Sequence, residues 1–477
     1  MASQRRMSNT ARIMRSYWLQ QALSREGEDD TAPLTGELSV DVCIVGGGFT
    51  GLWTALRIKA LEPALDVVII ERDICGGGAS GRNGGFCMSW MSKAATVLKI
   101  CGAQEGSTLL RASQLAVSEI GGFCRDHGID AQFRHDGWLW TASNRAQMDA
   151  WSDTVEALDK LGLHPFEAVS SEAMAERTGS ARHRGGVFEI SVATLQPALL
   201  ARGLRRAALA QGVRIFEKSP MMELVREPRP GVKTRRGAVR ADCVVLALNA
   251  WAHELPEFRR TILPVAVDAL ITEPAPERLA YLGLDNGTAI SDSRIMVNYY
   301  RSTIDGRLSW GRGGSAIPFA GRLGSRFDGP TPCREMLRGT LESFYPSLAD
   351  VPIAAAWRGP ATRTATGLPF FGRLPRCPAV VYGHGYTGNG VGPSYLGGRI
   401  LASLALGLDD EWSNNGFTTG PHGAFPPEPF RYIGGNLLRR AVLRRDHAED
   451  QGRTPSRIDR FLTSLAPAGL VGSKEKT

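Results

Sequence analysis

No Cys-x-x-Cys pair occurs in this 477-residue chain, although eight cysteines are present, at 43, 75, 87, 101, 124, 243, 333 and 377. A metal site of the usual ligand spacing is therefore not expected. Cys43 and Cys243 fall inside apolar runs and read as buried thiols, which makes a reducing compartment the default. No stretch reaches the roughly eighteen to twenty apolar residues that a membrane-spanning helix needs, so the chain is not expected to be an integral membrane protein. Aromatic-interleaved basic patches and nucleic-acid reading motifs are missing too. Nucleic acid is thus not an expected partner, despite a formal net charge of +8. Residues 1–25 hold Arg5, Arg6, Arg12, Arg15 and Arg25 and no acid. No apolar segment of a secretory signal follows them, so a cytoplasmic setting is expected, with a basic terminus running into a short helix at Arg15–Leu23. At 43% hydrophobic and 22% charged residues the composition is that of a globular protein, and the length makes two domains the prior.

What is present begins at Val42. The run Val42–Val45 reads as a buried strand, Gly46-x-Gly48-x-x-Gly51 follows, and Leu52–Ala60 reads as a helix. This is the strand, turn and helix of a dinucleotide site. Gly46 permits the tight turn, Gly48 lets the backbone approach a pyrophosphate, and Gly51 lets the helix pack on the strand. A second apolar strand, Asp66–Ile70, ends in Glu71, twenty residues after Gly51, where an acid binds ribose hydroxyls. The motif leaves NAD and FAD both open. Six glycines then fall within Arg72–Phe86, a stretch that exposes backbone N–H groups as a loop wrapping a ligand would. Ser80, Arg82 and Asn83 add side-chain donors there.

Residues 93–180 read as mostly helical, with Asn144 capping a helix to Leu161, and look like a second domain inserted into the first. Gln196–Gly212 is a helix with Pro197 in its first turn, and Asp242–Trp251 is apolar enough to be a central strand. Asp305-Gly306 marks a hairpin between strands Arg294–Arg301 and Leu308–Arg312. By alternation, Tyr299 and Arg301 share one face with Ile295 and Val297, and Tyr300 shares the other with Arg294 and Asn298. Strand, glycine loop and helix recur at Ala379–Tyr382, Gly383–Gly392 and Tyr395–Leu406, and a helix N-terminus there presents its positive end to an electron-rich ligand atom. The tail carries an amphipathic basic helix around Leu437–Arg445, and residues after Ser464 read as disordered.

Taken together, Val45–Leu52, Glu71-Arg72, Ala79–Gly85, Val244–Trp251, Gly367–Gly372 and Gly383–Val391 resemble the FAD-dependent oxidoreductases of the D-amino-acid oxidase superfamily, over about residues 38–410. The details look most like the branch of gamma-glutamylputrescine and aminophosphonate oxidoreductases. The resemblance implies an α/β architecture. A Rossmann-like FAD-binding domain assembled from residues 38–92, 186–262 and 351–410 is joined to an α+β substrate domain with a large mixed β-sheet, from residues 93–185 and 263–350. Residues 411–477 form a C-terminal extension. By the same resemblance, Gly46, Gly48, Phe49, Thr50 and Gly51 bind pyrophosphate and Glu71 the adenosine ribose, with Arg72 also in the cofactor set. Ser80, Gly81, Arg82, Asn83, Gly84 and Gly85 bind the phosphates and one flank of the ring. Met222 passes near adenine, Asn249 joins the cofactor set, and Gly388, Asn389, Gly390 and Val391 sit by the flavin pyrimidine edge. Some family members tether the flavin through a cysteine; the matching position here falls near Gly359, so non-covalent FAD is expected.

The implied reaction is oxidation of a C–N bond in a primary or secondary amine, amino acid or aminophosphonate. Hydride passes to flavin, and the imine hydrolyses to an aldehyde or keto acid. His384, Tyr299, Tyr300 and Arg312 are the candidate catalytic residues. Trp310 is a further wall candidate, and Arg294, Arg301, Arg358 and Arg363 join Arg312 as candidates to clamp a carboxylate or phosphonate. No acid–base side chain is strictly required, so the lack of a Ser-His-Asp arrangement is no obstacle. The partners expected are a small amine and dioxygen or another electron acceptor, with an oligomer open. The competing readings are a dehydrogenase passing electrons to a protein or quinone, and a flavoprotein whose FAD is structural.

Overall fold

The computed structural model describes residues 14–27, 31–324 and 327–466. The stretch with Arg5, Arg6 and Arg12 and the tail beyond 466 lie outside the described residues. Two eight-stranded sheets organise them. In the first, the strands run in the order Phe370–Leu374, Cys377–His384, Gly237–Leu246, Gly36–Val45, Val67–Ile70 and Arg214–Phe216, with two short strands, Glu223–Val225 and Gly231–Lys233, on its flank. Gly36–Val45 pairs in parallel with Gly237–Leu246 on one side and Val67–Ile70 on the other. Such a central strand must be apolar on both faces, and its residues alternate between two cores. Val42 and Ile44 pack under the helices Phe49–Leu61 and Pro393–Leu406, while Cys43 and Val45 join Val68, Ile70 and Val244 on the opposite face. The helix predicted at Leu52–Ala60 thus starts three residues earlier, with Gly48 as its N-cap.

The second sheet takes the order Ile353–Arg363, Leu263–Thr272, Leu308–Ala316, Asn298–Ser302, Ala289–Asp292, Trp138–Thr141, Gly186–Glu189 and Phe166–Val169. One face is closed by the helix Arg334–Phe344 over Leu270, Tyr300 and Trp310. The other face looks toward the glycine loops of the first sheet. Residues 353–363 correct the sequence reading, which placed them with the nucleotide segments. They pair antiparallel with Leu263–Thr272 along the whole strand, from Leu263 opposite Arg363 to Thr272 opposite Ile353. The chain returns to the first sheet only with Phe370–Leu374.

Three local expectations change for identifiable reasons. Asn144 caps only the short turn Arg145–Gln147, because Asp149 adopts φ 63°, and a helix restarts at Ser152–Asp159. The strand expected from Arg294 begins at Asn298, because the Asp292 carboxylate accepts the backbone N–H groups of Arg294 (3.3 Å) and Asn298 (2.9 Å) and holds the intervening residues in a loop. The 93–180 block is only partly helical: after the helix Ala94–Asp126 it contributes two strands to the second sheet. At the N-terminus, Ser16 caps the helix Tyr17–Arg25 by accepting the Leu19 N–H, and Trp18 packs edge-on to Trp357. No helix among the described residues is long and apolar enough to cross a membrane.

Candidate active site

Between the sheets lies a cavity of about 1030 Å³. That is at the upper end of the range for small-molecule and cofactor pockets, roughly 300–1000 Å³. Gly46 begins its lining, at the end of the strand Gly36–Val45, with φ +118°. A Cβ at Gly51 would stand 2.0 Å from the Gly46 carbonyl oxygen, so the helix can approach the strand this closely only without a side chain. The first turn of that helix points its N–H groups at the cavity, and the Phe49 N–H is held by Ser80 Oγ at 2.9 Å.

Glu71 follows the strand Val67–Ile70. Its carboxylate accepts the Gly47 N–H at 2.8 Å and the Asp73 N–H at 2.9 Å. Burial nevertheless pushes its carboxyl up to about 7. Arg72 lies over the Trp251 ring at 4.2 Å and pairs with Asp328. Arg82 is spent on the protein itself, bonding Asp328 and the carbonyls of Gly77, Arg358 and Met14. Asn83 likewise braces its loop, donating to Ala79 and Ser80 carbonyls and accepting the Gly85 N–H at 2.8 Å.

The lining includes Gly46, Gly48, Phe49, Thr50, Glu71, Arg72, Ser80, Arg82, Asn83, Gly84, Met222, Asn249, Gly388, Asn389, Gly390, Val391 and Tyr299. Gly51, Gly81 and Gly85 stand behind it; Cβ atoms there would strike the carbonyl oxygens of Gly46, Gly76 and Leu195. Tyr299 reaches the cavity because Gly84 and Gly311 leave room: Cβ atoms at those two positions would come within 2.7 Å and 2.2 Å of its ring.

Three expected catalytic residues are elsewhere. His384 is fully buried among Phe258, Phe370 and Tyr382, outside the lining, and burial holds its imidazole well below its ordinary range, at about 3. It sits at the end of Cys377–His384, where strand alternation turns its ring inward and away from the loop that follows. Tyr300 stacks on Trp310 at 4.4 Å and bonds His183 and Tyr345, behind the sheet rather than in front of it. Trp310 is likewise fully buried there and walls no part of the cavity. Arg312 pairs with Asp446 at 3.3 Å and does not line the cavity.

Of the other arginines, Arg301 donates to the carbonyls of Gly84, Leu195 and Ser302, and Arg358 pairs with buried Asp268 at 2.7 Å. Arg294 lines the cavity but is held by Asp292 and Asp450. Arg363 differs. It lines the cavity, donates only a long 3.4 Å bond to the Thr387 carbonyl, and has no carboxylate partner among the described residues. Burial lowers its guanidinium to about 10. Beside it stands Lys93, also in the lining and also without a carboxylate partner among the described residues. Burial, with the Arg363 charge adding, lowers its ammonium to about 8. Lys93 gave no sequence signal, because it closes a short turn, Met91–Lys93, that carries no periodic pattern. Tyr386, Trp138 and Trp140 also line the cavity; the sequence shows the first only as part of the Gly383–Gly392 loop and the two tryptophans only as part of a strand.

A model of the FAD dependent oxidoreductase family, DAO, matches residues 41–404. The chain belongs to this family. A protein named Probable oxidoreductase OrdL from Haemophilus influenzae is 30% identical over 408 residues, covering 84% of this chain and 90% of the relative. Gamma-glutamylputrescine oxidoreductase of Escherichia coli is 30% identical over 409 residues, covering 85% and 91%. Among solved structures, glycine oxidase from Geobacillus kaustophilus superposes with a TM-score of 0.66 at 20% identity, covering 81% of this chain and all of that one.

The cofactor of the FAD-dependent oxidoreductases is FAD, and the cavity can be tested against it. In the glycine cradle the N–H groups of Gly46, Gly47 and Phe49 are taken by Ile70, Glu71 and Ser80, and those of Gly48, Thr50 and Gly51 are left, among the described residues, to a pyrophosphate. Asn389 Oδ1, a buried acceptor on the cavity wall, has no protein partner. It is the kind of atom a ring N–H satisfies. The helix Pro393–Leu406 starts directly behind Gly388–Val391, so its positive end faces the same wall. The residues present fit the group.

Proposed function

We propose that this chain oxidises the C–N bond of a small amine that carries an anionic group, an amino acid or aminophosphonate, with FAD held non-covalently. Bound FAD would supply the acceptor for a hydride from the carbon next to the amine nitrogen. The rest is the work of the chain. Gly46, Gly48, Phe49, Thr50 and the Ser80 loop would hold the pyrophosphate, with Gly51 setting the helix; Glu71 and Arg72 would hold the ribose end beside Met222. Asn389 and the backbone of Gly388–Val391 set a positive field at the wall where negative charge collects during transfer, without any titrating group. Tyr299, fixed between Gly84 and Gly311, gives the ring end a flat wall that excludes water.

The observation that carries the substrate class is the pair Arg363 and Lys93. Two half-buried cations on one cavity wall, neither with a carboxylate partner among the described residues, are costly until an anion arrives. A carboxylate or phosphonate meets both, and leaves the amine toward the ring. The relatives' names agree on amine chemistry, one with gamma-glutamylputrescine and another with glycine. Among the described residues no cysteine or histidine lines the cavity, and Gly359, near the position that carries the tether in some family members, stands on its wall, which supports non-covalent FAD. Acid denaturation is expected to leave the yellow colour in the supernatant; a yellow pellet would contradict it.

Dioxygen is the first acceptor to test, since peroxide release with dioxygen as sole acceptor separates an oxidase from a dehydrogenase. Eight free cysteines support a cytoplasmic setting. The reaction itself is tested by anaerobic mixing of the yellow protein with amines that bear or lack an anionic group. Bleaching by the anionic amines supports the reading, and indifference to every amine would overturn it.

A further inference from the structure

The C-terminal extension lies outside the family match, which ends at residue 404. It forms two helices, Phe430–Asp450 and Arg457–Ser464. The first is fastened to the body along one side: Asp450 to Arg294, Asp446 to Arg312, and Arg431 to the Arg259 carbonyl. The second is fastened to the first through Arg444 with Asp459 and Arg445 with Thr463. Their fixed sides are thus accounted for, and what the remaining sides present is a property of the folded chain.

Those sides are unusually apolar. Phe430, Ile433 and Leu437 fall on one stripe of the first helix, and Ile458, Phe461 and Leu465 on one stripe of the second. All six are at least half exposed, Phe430 and Ile458 at about 70%. Single exposed apolar residues are ordinary, but six spaced at i, i+3 and i+7 on adjoining helices are not. The charge beside them has one sign. Residues 430–466 contain eight arginines and four acids. Each acid is engaged: Asp446, Glu449, Asp450 and Asp459 all sit in ion pairs. Arg440, Arg453, Arg457 and Arg460 are exposed and have no ion-pair partner among the described residues.

We propose that this helix pair docks on an anionic lipid surface. Amphipathic helices with bulky apolar residues on one side and arginines beside them lie in the plane of a bilayer interface. The arginines favour this occupant over a second copy. A two-fold pairing brings the same patch against itself, so the four unpaired arginines would face like charge. An anionic bilayer answers both features at once, taking the side chains of Phe430, Phe461 and their neighbours below the headgroups and the guanidinium groups among them. The surface is separate from the cavity, so its test does not depend on the substrate.

The test is flotation of the full-length yellow protein with vesicles of phosphatidylcholine alone or mixed with phosphatidylglycerol. Binding is expected only to the mixed vesicles and is expected to fall as salt is raised. The double variant Arg457→Gln with Arg460→Gln is expected to bind roughly 25-fold more weakly, at about fivefold for each arginine. The double variant Ile458→Ser with Phe461→Ser is expected to lose binding while keeping its flavin absorbance and its amine-dependent bleaching, which shows that it is folded. Equal binding to both vesicle types, no binding to either, or a self-associated wild type that the serine variant dissociates would each overturn the proposal, the last in favour of a second copy.

Discussion

Replacing Arg363 with Met removes one of two half-buried cations from the cavity wall and keeps a side chain of similar length. Burial without a carboxylate partner lowers the guanidinium to about 10. Holding that charge partly out of water, without a counter-charge, is unfavourable. An arriving carboxylate or phosphonate relieves that cost and adds charge-assisted hydrogen bonds. Truncating one member of a buried charge pair typically costs about 2–5 kcal/mol. Lys93 remains to hold part of the anion, so the lower half of that range applies, on the order of 10²-fold in kcat/KM. The assay is steady-state kinetics on matched substrates, an amino acid or aminophosphonate and the amine that lacks the acidic group. Loss is expected for the anionic member, mostly in KM, with the uncharged one changed by less than about threefold. Flavin content measured by absorbance must equal wild type, and the ligand-free variant should melt no lower, since an unpaired charge has left the interior. Equal loss on both substrates, or loss on neither, would refute the assignment of Arg363 to the substrate anion.

The remaining predictions concern other parts of the frame. Gly51→Ala sets a Cβ 2.0 Å from a backbone oxygen that has no room to move; the protein is expected to lose about 1–3 kcal/mol of stability and to purify colourless, and a yellow, fully stable variant would show the cradle to be looser than described. Lys93, lowered to about 8 by burial, is expected to lose its proton as the pH rises through that value, so KM for an anionic amine should climb above about pH 8, and Lys93→Arg should flatten the climb. The stability sign is opposite to that of a favourable pair: the cost of the charged lysine is present below about pH 8 and is relieved as the pH rises toward the ordinary lysine value of about 10.4, which ligand-free denaturation across that window can follow. Asp268→Ala removes the carboxylate partner of buried Arg358 and should cost about 3–5 kcal/mol in chemical denaturation without moving KM for the anionic amine; a KM effect would return Arg358 to the list of clamps.

The first sheet was legible because its signals are local. Val42–Val45, the glycines after it and Glu71 announce a parallel strand, a tight turn and a ribose end within thirty residues, and the backbone does the rest. The second sheet depends on distant pairings. Nothing in Trp357–Arg363 says that it lies against Leu263–Thr272 rather than returning to the nucleotide strands, because an apolar strand serves either sheet. Alternation placed Tyr299 and Tyr300 on opposite faces, but it could not say which face held the cavity. That depended on Gly311, the cross-strand partner that makes room for Tyr299. The arginines show the same limit. Five looked alike in sequence, and only the positions of Asp292, Asp446 and Asp268 separate the paired ones from Arg363. Arg301 is answered by backbone carbonyls, which carry no sequence signature. His384 read as a loop residue because it precedes glycine, yet it completes a strand and faces the core.

The most direct measurement is the anaerobic flavin spectrum on mixing with matched amines. The oxidised flavin band is expected to bleach with an amino acid or aminophosphonate, and only at far higher concentration with the same amine lacking its anionic group. A flavin that stays oxidised with every amine, or one that bleaches equally with both members of a pair, would contradict that expectation.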